Sequence, residues 1–322
     1  MGAADHGRRS DPACRGADQA GADPQGTARA RARRRRLTPE AWPAVGIIGA
    51  GRAGLGLAVA LHRAGVPVRL HSRHPRPAPA GIPITAGSPL PSWLPDVDIV
   101  LLAVPDAAVP GVATLLAGSA AIAGRHVVLH LSGVLDSRSL SALSGSGAGL
   151  GSFHPLLSFT DPASAPLKLA AAVAAVEGDE RSRAAAFLLA SRVGLTPFVI
   201  RAEDKPLYHA AAVFGANFLV TIAAVGRRLF EQAGVPPEHA ARGLATLMSG
   251  VLENIARAGP ASALTGPVKR GDAETLRRNL AALGPDDAAL YRALSRATLD
   301  IADLTTEQRR AVEEAIHERR EK

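Results

Sequence analysis

The stretch Val45-Gly46-Ile47-Ile48-Gly49-Ala50-Gly51-Arg52-Ala53-Gly54-Leu55-Gly56 decides the fold. A short apolar run is followed by glycines in the pattern G-x-G-x-x-G and then by an alanine- and leucine-rich segment. Strand, tight glycine turn and helix in that order make the opening βα unit of a dinucleotide-binding domain. Gly49 permits the turn, Gly51 lets backbone approach a pyrophosphate, and Gly54 lets the helix pack closely on the strand. The helix N-terminus then faces the anion. Gly49, Ala50, Gly51, Arg52, Ala53 and Gly54 are therefore the expected phosphate-binding residues, with Arg52 adding charge.

Outward from this unit, short apolar runs alternate with alanine-rich helical stretches. Runs 66–70, 99–104 and 127–131 read as buried parallel strands, and 53–64 and 107–117 as helices. The alternation predicts an α/β domain with a doubly wound parallel Rossmann sheet. Weaker strand patterns follow at 150–153, 171–176 and 197–200, with a helix at 179–193. Beyond residue 201 the pattern is wholly helical: 203–233 as one long helix, then 236–258, 272–283, 286–304 and 305–322. The expected organisation is a basic tail over 1–40, a Rossmann domain over 41–202 and an all-α domain over 203–322.

The end of the second strand selects the dinucleotide. An NAD site places Asp or Glu about 20 residues beyond the glycines to hold the ribose hydroxyls. Here the strand ends Leu70-His71-Ser72-Arg73, and no Asp or Glu occurs between Glu40 and Asp96. Ser72 and Arg73 can instead donate to a 2′-phosphate, Arg through its planar fork. The expected cofactor is NADP. Ligands in such sheets lie beyond the carboxyl ends of the strands, so Val104, Pro105, Ser132 and Gly133 are expected beside the nicotinamide. Asp106 is expected to cap the helix after it.

Charge and cysteine content exclude other classes. Of the net charge of +8, a net +5 lies in residues 1–36, which carry nine Arg and four Asp. That segment has too few large apolar residues to offset ordering entropy and is expected to be disordered. It reads as an extension without a role of its own or, alternatively, as a weak polyanion contact or a targeting segment, so no specific nucleic-acid partner is expected. It lacks the apolar core of a signal peptide. No run is read as the roughly 18 to 20 apolar residues of a membrane span, so no membrane is expected. The single cysteine, Cys14, allows no intrachain disulfide and no thiolate cluster, which suits a cytoplasmic setting. No His/Cys/Asp spacing suggests a metal.

The stretches GIIGAGRAGLGLAVAL, LLAVPD, HLSG, GSFHPLLSF, YHAAAVFGANFL and LTGPVKRGD, spanning residues 46–272, carry a resemblance. They resemble oxidoreductases that join a Rossmann domain to the domain-of-unknown-function family 2520. More broadly they are similar to β-hydroxyacid dehydrogenases, ketopantoate reductases and pyrroline-carboxylate reductases, whose C-terminal domain is of the 6-phosphogluconate-dehydrogenase kind. The resemblance implies dimerisation through helical domains and matches Asn217 to a substrate-holding residue. It also implies a catalytic Lys one turn earlier, where this chain has Val213. Lys205 lies 12 residues before Asn217, so the usual proton donor is absent or replaced.

His209, Val213 and Asn217 are spaced i, i+4, i+8 on one helix face. On that face Asn217 is the candidate substrate anchor and His209 a candidate acid, since imidazole has a suitable unperturbed pKa. His154, just past a strand end, is the second candidate acid. Tyr208 is assigned to packing. In the loop expected at 265–272, Asp272 is expected to cap the next helix, and Arg270 is a candidate for a substrate carboxylate or else a solvated surface Arg. The expected function is NADPH-dependent reduction of a small carbonyl or imine, with a 2-oxo acid as one option. NADP–deazaflavin hydride exchange, which needs no acid, and a non-catalytic NADPH-binding sensor are the alternatives.

Overall fold

The computed structural model describes residues 42–77 and 79–317. The expected basic tail over 1–40, with Cys14, lies outside the described residues. The described residues from Ala44 onward form one compact unit.

The strands are β1 (Val45–Ile48), β2 (Val68–Ser72), β3 (Ile84–Ala86), β4 (Ile99–Leu102), β5 (Val127–His130), β6 (Gly149–Pro155), β7 (Val173–Gly178) and β8 (Thr196–Val199). They form one sheet in the order β3-β2-β1-β4-β5-β6-β7-β8. Strands β1 to β6 run parallel, but β7 runs antiparallel to β6 and carries β8 parallel to itself. The sheet is mixed rather than wholly parallel. The residues between β6 and β7 include only a five-residue helix, α3 (Ala165–Leu169), so no full crossover helix returns the chain to the starting edge.

Alternate residues of the central strands feed opposite faces. Val45, Ile47, Leu101 and Leu129 join Leu57 and Leu61 of α1 (Arg52–Arg63) and Leu189 of α4 (Glu180–Arg192). Ile48, Val100, Leu102 and Val128 pack with Trp93, Leu140 and Leu116, the last on α2 (Val109–Gly118). A strand buried on both faces reads as a continuous apolar run, which is what the sequence shows. Asp106 does not cap α2. It opens a short turn, Asp106–Ala108, and the N-cap position of α2 is Ala108, without a side-chain bond.

The long helix is continuous but carries a π turn. Helix α5 (Lys205–Val213) passes through Phe214–Phe218 into α6 (Leu219–Gln232). π turns widen a helix by one residue per turn and re-aim its side chains. Helix α7 (Pro237–Ala263) runs beyond the expected 258 because a break at Gly259, with φ of 78°, joins a second short helix onto it. The stretch expected as a loop at 265–272 is in part a helix, α8 (Gly266–Arg270), closed by Gly271 at φ 66°. Asp272 does cap α9 (Ala273–Ala281), accepting from the Thr275 amide. Helices α10 (Pro285–Leu299) and α11 (Thr306–Ile316) close a small core of Val268, Leu276, Leu299, Val312 and Ile316.

The reading that no run has the length and apolar character of a membrane span is corrected. Residues 206–226 contain no Asp, Glu, Lys or Arg, and the helical stretch Ala202–Gln232, with mean hydropathy 1.6, is long and apolar enough to cross a membrane. His209 and Asn217 interrupt the run in the sequence without lowering its mean hydropathy enough to exclude it.

Candidate active site

The glycine turn has the geometry its sequence predicts. Gly49 adopts φ +112°, and a Cβ there would overlap the Ala103 carbonyl oxygen. A Cβ on Gly54 would overlap the Gly49 carbonyl oxygen, whereas Gly51 has nothing within 4 Å of such a position. Two glycines are thus demanded by packing, and the third faces open space at the start of α1. Helix α1 has Gly51 as N-cap, no side-chain cap and no acidic residue in its first turn. Its first amides and the exposed Arg52 therefore suit an anionic group. The cradle fits a dinucleotide.

At the end of β2, Ser72 is buried and Arg73 exposed. His71 is tied inward, its ring nitrogens 2.9 Å from Thr85 Oγ1 and 2.9 Å from the Ser88 carbonyl, so it is not free for ligand. Arg76, which the sequence reading passed over, donates to the Ala50 carbonyl at 3.0 Å. It brings a second cation to the border of the glycine turn. Its signal was available in the cationic run Arg73-His74-Pro75-Arg76.

The chemistry-bearing side chains gather at the carboxyl ends of β5 and β6. His154 projects from β6 and His209 from α5, and the two rings lie edge-on with centroids 6.2 Å apart. Both face the buried Gly133: a Cβ built there would lie 2.7 Å from His209 Nδ1 and 2.9 Å from His154 Nε2. His209 Nδ1 is buried without a hydrogen-bond partner among the described residues. Tyr208, assigned above to packing, has its hydroxyl 2.9 Å from His154 Nδ1.

Beneath this pair lies a buried polar chain that the sequence reading missed. Lys205, fully buried, donates from Nζ to the Ser132 carbonyl at 3.2 Å and to Ser152 Oγ at 2.9 Å. Ser152 in turn donates to Glu177 at 3.3 Å. Glu177 also accepts from the Ser137 amide and hydroxyl at 2.8 and 2.7 Å. Ser132 donates its amide to His130 Nδ1 at 3.2 Å, which leaves the proton on His130 Nε2 to be donated to the Asp136 carbonyl at 3.1 Å. A lone carboxylate in the apolar strand Val173–Gly178 was the one visible sign of this chain.

Burial sets the protonation states. His154 is pushed down to about 4 by desolvation and then by the charges of Lys205 and His209. His130 is likewise lowered to about 4, chiefly by burial. Lys205 is pulled down to about 8 by burial, against the opposing attraction of Glu177. His154 is thus a neutral imidazole at neutral pH, and an imidazolium acid at that position does not fit. A neutral ring N–H remains a hydrogen-bond donor.

The other candidates lie apart. Asn217 falls within the π turn and is exposed, and no hydrogen bond or ring contact joins it to the histidine pair among the described residues. Arg270, on α8, has a 63% exposed side chain 4.0 Å from Asp272. Val104 is partly buried and Pro105 exposed beyond the end of β4. No group of three or more His, Cys, Asp or Glu suited to a metal occurs among the described residues.

Residues 29–155 match a Rossmann-like domain, and residues 172–298 match the domain of unknown function DUF2520. No curated protein matches the chain. Among solved structures it is similar to protein TM1727 from Thermotoga maritima, at 28% identity and TM-score 0.64, over 81% of this chain and 98% of that one. A Bacteroides fragilis protein named as a candidate NADP oxidoreductase, BF3122, is 22% identical with TM-score 0.62, over 80% and 98%. The fold is also shared with a reductive aminase from Aspergillus terreus, 18% identical with TM-score 0.57 over 84% and 99%. The chain thus has the architecture of dinucleotide-dependent oxidoreductases: a Rossmann-like domain followed by a DUF2520-like helical domain.

The buried histidines make stability depend on pH. A free imidazole titrates near 6.5, whereas His130 in the fold resists protonation until about 4. Between these values the unfolded chain binds protons that the folded chain refuses. Stability is therefore full above pH 6.5 and falls as pH drops toward 4, by on the order of 3 kcal/mol for His130. Urea midpoints at pH 7 and pH 4.5 should differ clearly in the wild type and less in His130→Gln. Equal differences would contradict this assignment.

Proposed function

We propose that this chain, which joins a Rossmann-like domain to a DUF2520-like helical domain, is an NADP(H)-dependent oxidoreductase acting on a small carbonyl or imine, with a 2-oxo acid as one option. The observation that carries this reading is the meeting of His154, His209 and Gly133 at the carboxyl edge of the sheet, the edge at which the glycine turn also lies. When bound, a reduced nicotinamide supplies the hydride that reduces the acceptor carbon. The turn Gly49–Gly54 and the first amides of α1 hold the pyrophosphate. Ser72 and Arg73 hold the 2′-phosphate, and Val104, Pro105, Ser132 and Gly133 line the nicotinamide side. His154 and His209 face the acceptor; Asn217 and Arg270, which lie apart from that pair within one chain, keep their assignment as substrate contacts of the helical domain.

A second copy of the chain completes this arrangement. Leu207, Phe214, Val220 and Leu247 are 76, 71, 70 and 60% exposed, a density of bare apolar surface uncommon in a monomer. Near residue 205 the same helix is pinned to the α/β domain by a buried Lys, which favours a protein partner over lipid for the apolar run. The reading is of a cytoplasmic homodimer, with no membrane and no specific nucleic acid among its partners.

Three measurements test these points. Arg73→Ala should weaken NADPH binding by roughly 1–3 kcal/mol, the scale of a hydrogen bond to a charged group, and leave NADH binding almost unchanged. Equal losses would remove the 2′-phosphate role. Against a panel of 2-oxo acids and imines the wild type should oxidise NADPH, and Asn217→Ala should lower turnover without changing NADPH affinity. Turnover with a deazaflavin alone, or tight NADPH binding with no turnover, would instead support hydride exchange or a sensor. Light scattering at micromolar concentration should give a dimer mass, and a monomer mass would count against the paired helices.

A further inference from the structure

We propose that Tyr208 is the ultimate proton donor of this site, and that its proton reaches the acceptor through the two ring nitrogens of a neutral His154. The proposal rests on the reductase reading above and goes beyond it by naming the path of the proton.

The geometry is a three-part bridge. The Tyr208 hydroxyl lies 2.9 Å from His154 Nδ1. The opposite nitrogen, Nε2, faces Gly133 and the strand-end position where an acceptor is expected. Phe198 also packs on Tyr208, with ring centroids 6.1 Å apart and an interplanar angle of 70°. Tyr208 thus touches both Phe198 and His154, while the residue as a whole is only half-buried. The imidazole is therefore the link between a partly exposed tyrosine and a buried reaction position.

Such a bridge works only with an uncharged ring. An imidazolium would have protons on both nitrogens and could accept none from Tyr208. The groups around His154 hold it neutral: Lys205 and His209 from α5 and His130 from β5 disfavour a second positive charge, and Asp106 beyond β4 alone pulls the other way. Burial raises Tyr208 to about 12, so the phenol keeps its proton at rest and yields it only to a stronger base.

The step balances without a further reactant. Hydride addition to a carbonyl reduces the carbon, oxidises the nicotinamide and leaves an alkoxide on the acceptor. An O–H bond forms there as the Nε2–H bond of His154 breaks. At the same time an Nδ1–H bond forms as the Tyr208 O–H bond breaks. The histidine ends neutral in its other tautomer, and the phenolate recovers a proton from water. Reversal of the tautomer resets the site. Since the donor is a phenol acting through a neutral imidazole, the helix Lys replaced here by Val213 is not required.

The direction of the Tyr208–His154 hydrogen bond decides the matter without turnover. In the full-length, 15N-labelled protein with NADPH added, long-range 1H–15N spectra should show His154 neutral at pH 7, with its proton on Nε2. Tyr208→Phe, which keeps the ring against Phe198, should shift the Nδ1 resonance. It should also lower kcat on a working acceptor by about 10²- to 10⁴-fold, the usual range for general acid help, with NADPH affinity unchanged. A wild-type proton on Nδ1 overturns the relay even in an active enzyme. So does a Tyr208→Phe variant with wild-type kcat. Failure of every acceptor overturns the reductase reading, which the spectra distinguish from failure of the relay.

Discussion

The candidate site depends on one buried cation. Lys205 has left water entirely, and its ammonium is answered by a carbonyl from the end of β5, a hydroxyl from β6 and the nearby charge of Glu177. A buried charge costs several kcal/mol unless its partners are well placed. The start of the long helix is therefore fixed against the sheet by a contact that tolerates little displacement. Tyr208 and His209, three and four residues later, are delivered to His154 as a consequence.

The same cation shapes the electrostatics. By keeping a positive charge close to His154 it helps hold that ring neutral, so the imidazole serves as a donor and acceptor rather than as a charged acid. Ser152 illustrates how closely the chain is satisfied: its one proton goes to Glu177 while its oxygen accepts from Lys205. Partial removal of such a network leaves unsatisfied groups in low dielectric, which is why networks of this kind are conformationally specific.

Away from this anchor the helical part is lightly packed. Among the described residues of α5, α6 and α7 only Lys205 and Ala240 are buried, while the compact helical core lies at Val268, Leu276 and Leu299. The long helix is thus fixed at one end by buried polar bonds, and along the rest it is only partly covered, with the exposed Arg228–Asp287 pair among its contacts.

The sequence by itself determined the glycine turn, the alternation of the main strands and helices (β3 and α8 went unread) and the acid-free border around Ser72 and Arg73. Each is a local pattern: steric demand at Gly49 and Gly54, apolar runs of strand length, and absence of carboxylates over a continuous interval. The Asp272 cap was equally local, whereas the Asp106 cap failed because a short turn intervenes before α2. Only the tertiary structure decided the reversal of β7, because pairing direction depends on where a connection returns. Only it brought Lys205, Glu177, Ser137 and Ser152 together, from positions as far apart as 137 and 205. Whether a histidine is a charged acid or a neutral link is likewise set by what surrounds it, and the charges and desolvation that lower His154 come from segments distant in the chain.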